Sequence, residues 1–101
     1  MNTLPPVLRK NGFRYTQLLR NGNTCIYEQM VAQDLKYFEV FRVMIKPRRF
    51  IGGIELPEKE VFPCNEDFGK TAWSCRSYED ALTRFNGLVE KQNQSKDDNQ
   101  D

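Results

Sequence analysis

One stretch decides what kind of core this chain can build: Lys70–Val89, where a strand-like segment with Trp73 runs straight into an amphipathic helix pattern. Tyr78, Ala81, Leu82, Phe85, Leu88 and Val89 recur at three- and four-residue spacing and share one helical stripe. Glu79, Asp80, Arg84 and Glu90 fall outside it. Ser77 is placed to cap the helix N-terminus. Asp80, three residues on, completes a variant of the capping box with its charge near the positive end of the helix dipole. A single apolar stripe must be buried, and only the preceding strands are available to cover it. The chain is therefore expected to be α+β: a small antiparallel sheet, made of a three-strand meander plus a fourth strand, with one C-terminal helix packed on one face.

The strands are legible in order. Phe13–Arg20 is rich in aromatic and branched residues, and Asn21-Gly22 after it is a strong hairpin signal because both residues tolerate the positive φ of a type I′ turn. Taken as the two turn residues, they set Leu18 opposite Cys25, Thr16 opposite Tyr27, Arg14 opposite Gln29, Tyr15 opposite Glu28 and Phe13 opposite Met30. The second strand runs from about Asn23 to Val31, and Gln33-Asp34 marks the next turn. Lys36–Lys46, apolar on both faces, suits a central third strand.

The helix is expected to cover Phe13, Tyr15, Leu19, Ile26, Met30, Tyr37, Phe41, Val43 and Ile45. Arg14, Arg20, Arg42 and Lys46 would then surround Thr16 and Tyr27 on an open face. Pro47 ends the third strand because it cannot donate to a ladder. From there to Gly69 a Gly-Gly pair, prolines and carboxylates read as a long irregular loop, with Val61-Phe62 as an anchor or minor strand. Thr71–Cys75 is the fourth strand. Gly87 either caps the helix end or lies inside a helix continuing to about Gln92. Residues 1–11 are expected to be a flexible N-terminal arm, 12–91 the single domain and 92–101 a disordered polar tail.

Composition narrows the chemistry. Histidine is absent, which removes the commonest general base and the usual partner of a nucleophilic Ser or Cys. Cys25, Cys64 and Cys75 form no close pair and read as reduced thiols packed like small hydrophobes; a zinc site would need an unusual carboxylate as fourth ligand. Glu55, Glu58, Glu60, Glu66 and Asp67 lie among Pro and Gly with no apolar wall to perturb them, as in a solvated loop. No enzymatic activity, metal or small-molecule cofactor is expected. No apolar run is long enough to cross a bilayer and no basic-then-apolar segment opens the chain, so the expectation is a cytoplasmic protein without a membrane partner.

Charge is distributed unevenly. Residues 1–50 hold nine Lys or Arg against three Asp or Glu, and residues 51–101 hold six against eleven. Either the first half presents a basic surface or the two halves neutralise each other in the fold. The basic set is Arg14, Arg20, Arg42, Lys46, Arg48 and Arg49, with Tyr27 among it. Cations that track phosphates beside a flat ring suit a nucleic-acid-binding module on the open sheet face. The alternative is a protein-interaction module that docks a partner, or a second copy of itself, through the acidic loop or a sheet edge. Trp73, beside the only long helix, is assigned to the core.

Phe68-Gly69-Lys70, Trp73 and the run Ser77–Lys91, preceded by Tyr37–Val40, give the C-terminal half a partial resemblance to WGR domains. In that family a strand leads through a Trp-Gly-Arg turn to another strand and a helix, and members occur in nucleic-acid-associated proteins. Asp67-Phe68-Gly69-Lys70 stands where Trp-Gly-Arg would, and the resemblance implies Lys70 as a basic contact at the turn. In general character the chain is similar to small accessory proteins of phages and mobile elements.

Overall fold

The computed structural model describes residues 2–98. The protein is α+β, with a five-stranded antiparallel sheet in the order β1-β2-β3-β4-β9 and a single C-terminal helix packed against it. The strands are β1 Val7–Lys10, β2 Phe13–Asn21, β3 Thr24–Ala32, β4 Leu35–Arg42 and β9 Ala72–Cys75, and the helix is α1 Tyr78–Asp98. Ser77 caps α1: its Oγ accepts a hydrogen bond from the Asp80 amide at 3.1 Å. Gly87 is an internal residue of α1, which runs to Asp98 through part of the stretch expected to lack structure; residues 99–101 lie outside the described residues.

The N-terminal segment is not a loose arm. Val7–Lys10 pairs along β2, the Leu4 amide donates to Glu60 at 3.0 Å, and the Pro5 carbonyl accepts from the Tyr27 hydroxyl at 2.7 Å. The open edge of β2 and a buried hydroxyl needing an acceptor together fix residues that carry little propensity of their own.

The β2–β3 hairpin forms with a shifted register. Gly22-Asn23, not Asn21-Gly22, are the turn residues, between the pair Asn21↔Thr24. Gly22 alone takes positive φ, +60°, the arrangement of a II′ turn with glycine leading. The pairing then slips between Gln17 and Leu19, leaving Leu18 as the extra residue of a bulge. That bulge puts Tyr15 and Leu19 on opposite faces although they are four residues apart.

β4 is also reversed relative to expectation, since Ile26 pairs with Val40 and Cys25 with Phe41. A strand apolar on both faces does not announce which side faces the helix. The helix covers Leu19, Ile26, Phe38, Val40, Trp73 and Cys75 with Ala81, Phe85 and Leu88. Trp73 thus belongs to the core, whereas Tyr78 is partly exposed and meets only the edge of Phe38 at 6.0 Å.

The other face is not open. Tyr15, Cys25, Tyr27, Phe41, Val43 and Ala72 form a second core there. The long third strand breaks at Val43, and the chain turns back as β5 Met44–Lys46, β6 Arg49–Ile51, β7 Ile54–Leu56 and β8 Lys59–Val61. Stepping from Met44↔Val61 and Lys46↔Lys59 along both strands leads without a slip to Arg49↔Leu56 and Ile51↔Ile54. The stretch expected to be irregular is therefore one long hairpin, interrupted where Pro47 and Pro57 cannot donate and closed by Gly52-Gly53 at φ +58° and +80°. The Val61-Phe62 anchor is present: the Phe62 ring lies 5.0, 5.2 and 4.8 Å from those of Tyr15, Tyr27 and Phe41.

Candidate nucleic-acid interface

The basic residues do not assemble into one sheet-face patch. Tyr27 is fully buried, with its hydroxyl donating to Pro5 and accepting from Gln17 Nε2 at 3.0 Å, so it offers no ring for a base to stack on. Arg20 is a structural cation. Its two terminal nitrogens meet the Glu60 carboxylate at 2.7 and 2.6 Å, which ties β2 to the root of the hairpin and holds the Glu60 carboxyl below its usual range. Arg14 is exposed on β2, away from the others. Lys46, Arg48 and Arg49 stand on the hairpin, where Arg48 pairs with Glu55 at 2.6 Å and one terminal nitrogen of Arg49 is buried without a hydrogen-bond partner.

Arg42 and Lys70 are brought together elsewhere. Arg42 falls on the helix side of the sheet, opposite Thr24, because β4 is reversed. There it lines a hollow of about 230 Å³ with Lys70, Trp73, Leu88 and Lys91. This hollow adjoins a larger cleft of about 660 Å³ between the edge strand β9 and α1, with Trp73, Leu88 and Lys91 common to both. The larger cleft adds Arg76 and Arg84, and among the described residues Asp80 is the one carboxylate on its walls.

The local sequence explains this surface. Asp80, Arg84, Gly87 and Lys91 succeed one another at four, three and four residues and so share one flank of α1. Gly87 leaves that flank low, since a Cβ there would meet nothing within 4 Å. The Arg84 guanidinium lies over the Trp73 ring, 4.6 Å from its centre. Trp73 presents a half-buried ring already faced by a cation.

Arg76, Arg84 and Lys91 were absent from the sequence-derived set. The seven-residue interval between Arg84 and Lys91 was a readable sign that they share a helix flank. What the linear sequence hid was the position of β9 at the sheet edge, which opens the cleft. Among the described residues no three His, Cys, Asp or Glu side chains are grouped to hold a metal, and no helix is long and apolar enough to cross a membrane. Cys25 is buried, with its thiol pushed up to about 11 by burial. The fold and cleft define a small α+β domain with a one-sided cationic groove. Compared with family models, curated proteins and solved structures, the chain matches none.

Proposed function

We propose that the protein is a non-enzymatic nucleic-acid-binding module that holds the phosphate backbone in the cleft between β9 and α1. The observation that carries this reading is the one-sided charge of the cleft: Arg42, Lys70, Arg76, Arg84 and Lys91 converge around Trp73 against the single carboxylate of Asp80. Cations in such a groove exchange condensed counterions for phosphate contacts, which gives affinity without base reading. The partial resemblance to WGR domains points the same way through Lys70.

The test is fluorescence anisotropy with labelled single-stranded and duplex oligonucleotides over a salt series. Five phosphate contacts give a slope of log K against log salt of about −4.5 for duplex and about −3.5 for single strands. Arg42→Glu with Lys91→Glu is expected to abolish binding at moderate salt, while Arg14→Glu leaves it nearly unchanged. Absence of binding even at low salt overturns the reading. The unpaired edge of β9 favours one other reading, addition of an extended acidic peptide as a further strand. An oligo-glutamate that binds as tightly as an oligonucleotide of equal charge selects that reading instead.

A further inference from the structure

The hairpin from Met44 to Val61 plays no part in the cleft, yet its outer end carries the most exposed large apolar side chains among the described residues. Phe50, Ile51 and Ile54 are 65%, 58% and 66% exposed. Cross-strand pairing sets Ile51 beside Ile54 on one face of the ribbon and Phe50 beside Glu55 on the other. One side of the tip is therefore apolar, and on the other the exposed Phe50 ring stands beside Glu55 with the Arg48 guanidinium 5.6 Å from its centre. A narrow apolar end is thus carried on charged flanks, a shape for entering a crevice. β6 and β7 pair only with each other, and a two-stranded ribbon is marginal in water unless something covers it.

Charge identifies the crevice. Behind the tip, Lys46, Arg49 and Lys59 form no ion pair among the described residues, whereas Glu55 is neutralised by Arg48 and Glu60 by Arg20, both at 2.6 Å. Glu58 is the carboxylate left without an ion pair on the stem. An apolar wedge on a net cationic stem complements a polyanion whose interior is apolar and opens at a groove, which is the description of a nucleic-acid duplex. From Phe50 to Ile54 the tip carries no side chain able to hydrogen-bond, so it cannot read the donor and acceptor pattern of the major groove.

Resting on the phosphate-binding reading above, we infer that the arm enters the minor groove of duplex DNA and parts a base step with Phe50 and the Ile51–Ile54 pair. Parting a step kinks the duplex, and pyrimidine–purine steps yield most readily. The arm thus selects duplex over single strand and deformable over stiff sequence, without base-specific contacts.

The experiment uses the full chain and a duplex of about 20 base pairs with a central TA step, end-labelled for energy transfer. The wild type is expected to raise transfer on binding, as a bend of roughly 20–90° requires. Phe50→Ser with Ile54→Ser, both on exposed positions and checked for an unchanged circular dichroism spectrum, is expected to lose that rise. The same double variant should bind duplex roughly ten- to a hundredfold more weakly, the equivalent of one buried aromatic side chain, and bind single strands as before. Duplex binding without a change in transfer, an equal change from the double variant, or binding to single strands alone overturns the wedge and leaves the phosphate cleft standing. Failure to bind any oligonucleotide overturns both. Co-sedimentation with phosphatidylserine vesicles that the double variant loses, in the absence of any bend, would assign the tip to a lipid surface and equally overturn the inference.

Discussion

The two faces of the sheet are both covered, by opposite means. On one, α1 lays a regular stripe of Ala81, Phe85 and Leu88 over Ile26 and Val40, and near its far end Gln92 Oε1 accepts a hydrogen bond from the Asn23 amide at 3.2 Å. On the other, Phe62 plugs a cluster of three aromatic rings from a hairpin that returns across the sheet, sealed by the Arg20–Glu60 pair, the Tyr27–Pro5 hydrogen bond and the Lys10 ammonium, which donates to the Pro63 carbonyl at 2.9 Å. The difference bears on function. Arg20 and Lys10 beneath the hairpin are consumed in holding it down, while Arg42, Lys70, Arg76, Arg84 and Lys91 beside the helix form no ion pair among the described residues.

The largest effect that can break this comparison is on stability. Phe85 is nearly fully buried, and Phe85→Ala should cost about 4 kcal/mol; Phe62 is half-buried but meets three rings, and Phe62→Ala should cost about 3 kcal/mol. Urea unfolding of both variants measures them side by side. If Phe62→Ala costs under about 1 kcal/mol, the hairpin side is a loose cover and the two faces are not comparable cores.

A second difference is that, among the described residues, only the hairpin face buries a carboxyl oxygen without a hydrogen-bond partner. Glu39 is 7% exposed, its Oε2 has no hydrogen-bond partner, and burial, eased by the Lys10 charge, raises its pKa from the usual 4.5 to about 7. Because the folded value lies above the unfolded one, the protonated form favours folding. That contribution is complete below about pH 4.5 and is lost as pH rises through about 7. Glu39→Gln should therefore flatten the fall in stability across this window and leave the variant more stable at pH 8 than the wild type by about 2–3 kcal/mol. Glu60, held low by Arg20, acts in the opposite sense and in more acid solution: its contribution is present above the ordinary Glu range and lost as pH falls below it. Thermal melts of the wild type and Glu39→Gln from pH 5 to 8 separate the two. Parallel curves would mean that Glu39 titrates as if solvated and that this face is not sealed.

What could be read in advance follows the same division. The α+β class, the strands β2, β3, β4 and β9, the Ser77 cap, the helix and the place of Trp73 were legible because each rests on a pattern spanning only a few residues. The register was not. The Leu18 bulge and the mixed faces of β4 leave no trace in alternation, and a slip of one residue carries Arg42 to the helix side. The hairpin was half legible, since Gly52-Gly53 between apolar residues is itself a turn signal, but the prolines that interrupt it made it look irregular. The cleft escaped because its cations come from both halves of the chain. Arg42 belongs to the basic half, whereas Lys70, Arg76, Arg84 and Lys91 lie in the half whose net charge is acidic. Arg20–Glu60 and Arg48–Glu55, by contrast, cross between the halves and neutralise charge, as one of the two sequence readings anticipated.

The smallest effect sharpens the comparison from the side of local structure. Ser77 accepts one amide hydrogen at the start of α1, and Ser77→Ala removes that acceptor while leaving the apolar stripe untouched. The cost should be about 1 kcal/mol, and Ser77→Gly should cost only a few tenths, because glycine at the cap leaves the amide to water without a Cβ in the way. Both are read in urea with an unchanged m-value, since the surface exposed on unfolding is the same. Equal and negligible losses would mean that the 3.1 Å hydrogen bond contributes nothing and that packing alone fixes the helix start. If the expected order holds, Phe62→Ala, then Ser77→Ala, then Ser77→Gly, the local device most easily read from the sequence is worth a fraction of an anchor whose three ring partners the sequence did not reveal. Local signals then place the elements of this protein, and contacts distant in sequence hold them and decide which cations face outward.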